Sequence, residues 1–220
     1  AIDDCGGLFV AVEGDDPGFA ERFASRCAAA GIDCTALAVD EARRLEPAIS
    51  ERAVAAYAVP DATVDPFRLT IEQVADAHRL AESVFLPHTE VVGFDIEGGR
   101  IGAARCRDTR SGAAVIIRAR QVVNAAGAWS MAVARLAGCD DVRVLFSKGT
   151  LVIANTRLTR RVVNRLRPAG DGDILVPGGT VSLLGTTSDT IADLDAVRPT
   201  PAEVDRNIDE GAALIPALAH

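Results

Sequence analysis

Gln121-Val122-Val123-Asn124-Ala125-Ala126-Gly127-Ala128-Trp129 is the stretch on which the fold turns, because an apolar run breaks there into small residues and then into helical spacing. Val122 and Val123 suit a buried strand. Ala125 and Ala126 keep side chains short, and Gly127 lets the backbone turn or come close to a bound group. Trp129, Val133 and Leu136 or Ala137 follow at helical spacing, with Gly138 as a stop. A strand, a glycine turn and a helix start make a place where a phosphate or dinucleotide can meet backbone amides. A strand-to-helix connection without a ligand explains the same residues, and both readings stay open on the pattern alone.

Working towards the N-terminus, Ala114 to Ala119, Ile101 to Cys106 and Val91 to Ile96 alternate like strands across glycine turns, a meander preceded by a further strand-like run, Val84 to Leu86. Before them Asp65-Pro66 opens a helix whose apolar face is Phe67, Ile71, Val74 and His78. His78 reads as a packed or boundary histidine, since no second ligand type stands at useful spacing. Leu8 to Val12 and Ala53 to Val59 read as strands. Phe19, Phe23, Cys27 and Ala30 give an amphipathic helix closed by Gly31, and a brief helix capped by Asp40 ends near Leu45-Glu46-Pro47.

Towards the C-terminus come Lys148-Gly149-Thr150 and a strand from Leu151 to Ala154, then five arginines within eleven residues: Arg157, Arg160, Arg161, Arg165 and Arg167. Such a cluster reads first as a solvated face, with a phosphate or carboxylate held by forked donors as the alternative. Ile174 to Pro177 and Val181 to Leu184 form a hairpin across Gly178-Gly179 that ends in Gly185-Thr186-Thr187-Ser188. Thr200-Pro201-Ala202-Glu203 has capping-box spacing and opens a final helix to Leu214.

Composition bounds the function. With 31 acidic against 23 basic residues the net charge is -8, which argues against a nucleic-acid or anionic-membrane surface, because both need a positive field. The five cysteines lack Cys-x-x-Cys pairs and zinc-ligand spacing with histidine, and read as reduced packing residues. No apolar run reaches the roughly 18 to 20 residues that span a bilayer.

Taken together, Arg44-Leu45-Glu46-Pro47, the run from Val59-Pro60-Asp61 through Asp65-Pro66-Phe67-Arg68-Leu69, Val122 to Trp129, Lys148-Gly149-Thr150-Leu151, and Asp173 to Pro177 leading to Leu184-Gly185-Thr186-Thr187-Ser188 resemble the flavin-dependent glycerol-3-phosphate dehydrogenases. The likeness is greatest to the large subunit of the anaerobic type. It implies a mixed α/β fold: part of an FAD-binding, Rossmann-like domain with a β-meander, interleaved with an antiparallel-sheet substrate domain. The implied division is residues 1–64 and 141–220 for the substrate domain and 65–140 for the flavin domain.

By the same resemblance Val91, Ala125, Ala126 and Gly127 border the cofactor FAD, while Lys148, Gly149, Thr150, Thr186 and Thr187 belong to the substrate region. The implied reaction oxidises sn-glycerol 3-phosphate to dihydroxyacetone phosphate and passes electrons through FAD to a quinone. Further subunits would link a cytoplasmic enzyme to the membrane quinone pool. Two departures stand out. Leu151 occupies the position where aerobic relatives carry a histidine, so no general base is transferred, and neither His78 nor His88 is expected to serve. No Gly-x-Gly-x-x-Gly occurs, so the sequence is expected to be the middle of a longer enzyme whose phosphate loop precedes Ala1. Another oxidase of the superfamily, acting on an amino or hydroxy acid, and a non-catalytic module are the alternatives.

Overall fold

The computed structural model describes residues 1–195 and 197–219. Its elements run β1 (Ile2–Asp3), β2 (Gly7–Val12), α1 (Pro17–Ala29), β3 (Thr35–Leu37), α2 (Val39–Leu45), β4 (Ala53–Val59), β5 (Thr63–Val64) and α3 (Pro66–Ala81). Then follow β6 (Thr89–Glu97), β7 (Arg100–Asp108), β8 (Ala114–Ile117), a 3-10 turn at Gly127–Trp129, α4 (Ser130–Leu136), β9 (Ser147–Lys148), β10 (Val152–Ala154) and β11 (Val162–Arg165). The chain closes with β12 (Ile174–Gly178), β13 (Val181–Gly185), β14 (Asp189–Thr190), α5 (Pro201–Leu214) and a 3-10 turn at Pro216–Ala219. Two compact units result: Ala1–Ile71 with Ser147–Asp189 and Ala196–His220, and Glu72–Phe146 with Thr190–Asp195.

The first unit is built on a seven-stranded sheet in the order β10-β13-β12-β11-β2-β4-β3. Every pairing in it is antiparallel except β11 beside β2, where Val163 lies opposite Leu8. Period-two alternation explains the two-sided packing. Leu8, Val10 and Val12 point one way into a core with Ala56, Val163, Leu175, Leu184, Leu214 and Ile215. Phe9 and Ala11 point the other way, against Phe19, Ala20, Phe23 and Tyr57, which seats α1 on that face. Helix α1 starts on Asp16, whose carboxylate accepts the Gly18 amide at 2.9 Å, and stops before Gly31, whose φ of +68° is the left-handed conformation a helix end uses.

The second unit is the expected meander, β6-β7-β8, in antiparallel register from Thr89↔Asp108 to Ala104↔Ile117. Phe94, Ala104 and Cys106 pack with Val133 and Ala137, so α4 covers one face of the three strands.

Four expectations are corrected. Residues 118–126 form no strand, and Val123 is 85% exposed; an extended run becomes a strand only beside a partner that completes its ladder, and none pairs with it among the described residues. Val84 to Leu86 are likewise outside any strand and exposed. The face Phe67, Ile71, Val74, His78 exists on α3, yet the helix has no buried residue and His78 is exposed, its ring nitrogen 2.9 Å from the Ser83 carbonyl. Asp40 lies inside the first turn of α2 rather than capping it; Ala38 is the cap and offers no side-chain bond.

Candidate functional site

The hairpin β12–β13 and the entry to β10 bring two distant turns together. Lys148 ends β9 and leads into Gly149-Thr150, and Thr186-Thr187 follows β13. The Thr150 amide donates to Thr187 Oγ1 at 3.0 Å, and the Thr187 amide returns a bond to the Thr150 carbonyl at 3.4 Å. Thr186 Oγ1 lies 3.4 Å from the same carbonyl and 3.1 Å from that of Thr187. A Cβ on Gly149 would stand 2.5 Å from Thr186 Oγ1, so the close crossing requires glycine there. Thr150 and Thr187 are buried, whereas Gly149 and Thr186 form an exposed lip.

Helix α5 supports this crossing from beneath. Asn207, fully buried, donates Nδ2 to the Thr150 carbonyl at 2.8 Å, while its Oδ1 has no partner among the described residues. One turn earlier Glu203 Oε1 meets Lys148 Nζ at 2.7 Å, both side chains at most 10% exposed. Lys148 also donates to the Arg198 carbonyl at 2.9 Å. The other carboxylate oxygen, Oε2, accepts the Thr200 amide at 2.6 Å and its hydroxyl at 2.9 Å, and Thr200 Oγ1 accepts the Glu203 amide, completing the capping box. Lys148 and these donors hold the Glu203 carboxyl down at about 2.

Chemically the cluster presents hydroxyls and backbone at a rim, over a lysine whose charge is already answered. Lys148 is therefore not a free cation for a phosphate, since Glu203 and the Arg198 carbonyl already occupy it. All five residues expected in the substrate region meet here. Glu203 and Asn207 were missed as members: Glu203 was legible only as a cap, and Asn207 lies 57 residues from the carbonyl it serves.

In the second unit, Val91 lies half-buried on β6 opposite Cys106. Asn124 builds the turn after it in sequence: Nδ2 donates to the Ser130 carbonyl at 2.8 Å and Oδ1 accepts the Ala126 amide at 3.2 Å. Gly127 adopts φ +55° with open space where a Cβ would be, so backbone conformation demands the glycine. Ala125 and Gly127 are exposed, and Val122, Val123 and Trp129 leave large apolar surfaces uncovered. A short-side-chain turn flanked by uncovered apolar groups fits one wall of a site for a planar cofactor such as FAD. No group of three or more potential metal ligands occurs among the described residues.

The family model described as FAD dependent oxidoreductase matches residues 1–220. One subunit of the anaerobic glycerol-3-phosphate dehydrogenase of Escherichia coli (strain K12) is 39% identical over 220 residues, covering 99% of this chain and 40% of the relative. This chain thus spans about two fifths of the length of that relative. Among solved structures, L-proline dehydrogenase from P. horikoshii superposes with a TM-score of 0.83 at 23% identity, over 100% of this chain and 58% of that one. The FAD-bound, dithionite-reduced L-α-glycerophosphate oxidase from Mycoplasma pneumoniae gives 0.82 at 20% identity, over 98% and 58%. At those identities the structural likeness speaks for the fold.

Proposed function

We propose, from the premise that this chain belongs to the FAD dependent oxidoreductase family, that it is part of a dehydrogenase oxidising sn-glycerol 3-phosphate to dihydroxyacetone phosphate. The observation that carries this reading is the 39% identity, along nearly the whole chain, to the subunit of the anaerobic glycerol-3-phosphate dehydrogenase described above. Residues 65–140 belong with the flavin domain, and residues 1–64 and 141–220 with the substrate domain. Val91 and the turn Ala125-Ala126-Gly127 border the cofactor; Lys148-Gly149-Thr150 with Thr186 and Thr187 border the substrate. When bound, FAD would accept the hydride from the substrate's secondary carbon.

This chain's own residues contribute shape and orientation. Asn124 holds the turn that leaves Gly127 open to a flat ligand. Glu203 and Asn207 fix the Lys148–Thr150 turn, so its backbone and the Thr186 hydroxyl are placed before any ligand arrives. The proton acceptor is assigned to no residue of this chain, since Lys148 is engaged by Glu203 and both other candidates, His78 and His88, are exposed. Electrons leave through further subunits to a quinone; no helix among the described residues is long and apolar enough to cross a membrane itself.

The test uses the full-length protein. It is expected to be yellow as purified and to be bleached by glycerol 3-phosphate in the absence of oxygen, while amino and hydroxy acids leave its spectrum unchanged. Colourless protein that releases no flavin on denaturation sinks the enzyme reading, and bleaching by a carboxylate substrate instead of the phosphate reassigns the substrate.

A further inference from the structure

We propose that the cavity beside the end of α2 is an anion site for a small phosphate-bearing ligand carrying several negative charges. The cavity has a volume of about 810 Å³ and is walled by Arg44, Glu46, Arg157, Thr159 and Arg160. It lies within the first unit and draws on none of the residues placed beside the cofactor or the substrate, so its test stands or falls separately from the flavin reading.

Charge balance sets this wall apart from the rest of the arginine cluster. Of the five clustered arginines, three have carboxylate partners: Arg161 with Glu46 at 3.5 Å, Arg165 with Asp15 at 2.9 Å and Glu210 at 3.1 Å, and Arg167 with Asp173 at 2.6 Å and Glu210 at 2.9 Å. Arg157 and Arg160 have none among the described residues, and both line the cavity. Arg157 donates only to neutral carbonyls, those of Thr159 at 3.1 Å and of Gly179 and Arg160 at 3.4 Å, which orient its guanidinium without neutralising it. Arg44 likewise has no carboxylate partner among the described residues, and it comes from a different element to the same wall.

The carboxylate on that wall is already saturated. Glu46, 1% exposed, accepts the Arg160 amide at 3.1 and 3.0 Å, the Arg161 amide at 2.8 Å and the Arg161 guanidinium. Three arginines without a carboxylate partner among the described residues therefore line one cavity in a chain whose net charge is -8. The carbonyl end of α2 opposes them with at most about half a charge, and less for so short a helix, so the field stays positive.

The wall is also fixed in advance. Glu46 pins the amides of residues 160 and 161, Ser182 Oγ accepts the Leu158 amide at 2.8 Å, and Thr159 Oγ1 donates to the Arg161 carbonyl at 2.9 Å. A ligand would meet a set loop rather than ordering one. Guanidinium forks match phosphate oxygens, and a single carboxylate would leave two of the three charges unanswered, which selects a multiply charged phosphate.

Pyrophosphate is the probe, titrated calorimetrically into the oxidised full-length protein at about 0.15 M salt, where long-range attraction is screened. One saturable site is expected, weakened about tenfold or more by Arg44→Gln/Arg160→Gln and left unchanged by Arg110→Gln, an exposed arginine of the second unit. The Arg44 and Arg160 side chains are exposed and anchor no carboxylate, so the double variant should keep its circular dichroism; if it does not, Arg160→Gln alone carries the comparison. Absence of saturable binding, equal affinity in wild type and variant, or an equal loss in the Arg110→Gln control overturns the site and leaves a solvated face. Preference for phosphatidylglycerol vesicles over pyrophosphate, lost in the same variant, would also overturn it in favour of a lipid surface.

Discussion

At the scale of single residues, the carboxylates of Glu203 and Glu46 do what their neighbours in sequence cannot disclose. Glu203 caps its own helix and neutralises Lys148, and its carboxyl is lowered to about 2 from an ordinary value of 4.5. A depressed folded-state value means the contribution is full above about pH 4.5 and is lost as the pH falls towards 2. Glu203→Gln should therefore flatten the acid limb of a pH–stability profile in that window and lower Tm at neutral pH, because Lys148, 10% exposed, loses its carboxylate partner. Thermal melts of both proteins from about pH 2 to 7 check both statements. Glu46→Ala removes the acceptor of two backbone amides and should cost about 2–4 kcal/mol in a urea titration, with Glu46→Gln losing less because one oxygen remains. The sequence pointed to Lys148, Gly149, Thr150, Thr186 and Thr187. It hid Asn207, whose polar partner is a main-chain carbonyl that every residue possesses, so no residue type marks it.

At the scale of elements, α5 was legible almost to its ends because its start is chemical: a threonine, a proline and a glutamate at fixed spacing can make a capping box wherever they fall. Thr200→Ala should cost about 1 kcal/mol by the same assay. The approach of α5 to the sheet depends on Gly211, where a Cβ would come within 2.6 and 2.9 Å of the Leu184 methyls. Gly211→Ala is therefore expected to destabilise by about 1–2 kcal/mol despite alanine's better helix propensity, since Leu184 is fully packed and has little room to give. Strand β11 was not legible: Val162-Val163 sit in a run dominated by arginine, and only the parallel pairing with β2 makes them core. The reverse error fell on residues 118–126, whose valines and alanines suggested a strand but find no ladder among the described residues. Hydrophobic pattern states what an element prefers to be; a neighbour decides whether it becomes one.

At the scale of the whole molecule the two units differ in how much apolar surface they leave in water. In the second unit Leu80, Val84, Phe85, Val123 and Leu145 are exposed at 72, 80, 66, 85 and 81%. Single exposed apolar residues are ordinary, but this many large ones in 81 residues, 75 from Glu72–Phe146 and six from Thr190–Asp195, are not. Relatives of which this chain spans about 40% supply a physical reason: in the proposed reading these side chains pack against the rest of the flavin domain. The 220-residue chain on its own should then bind a hydrophobic dye strongly, self-associate on a sizing column and retain little FAD, whereas the full-length protein should be dye-silent and carry the cofactor. Replacing Val84, Phe85 and Val123 by serine should suppress dye binding in the short chain and, in the long one, destabilise the flavin domain, because the same residues pass from exposed surface to buried contact. A short chain that is monomeric, dye-silent and loaded with stoichiometric FAD would mean that these side chains are true surface and that the second unit needs no further partner to hold the cofactor.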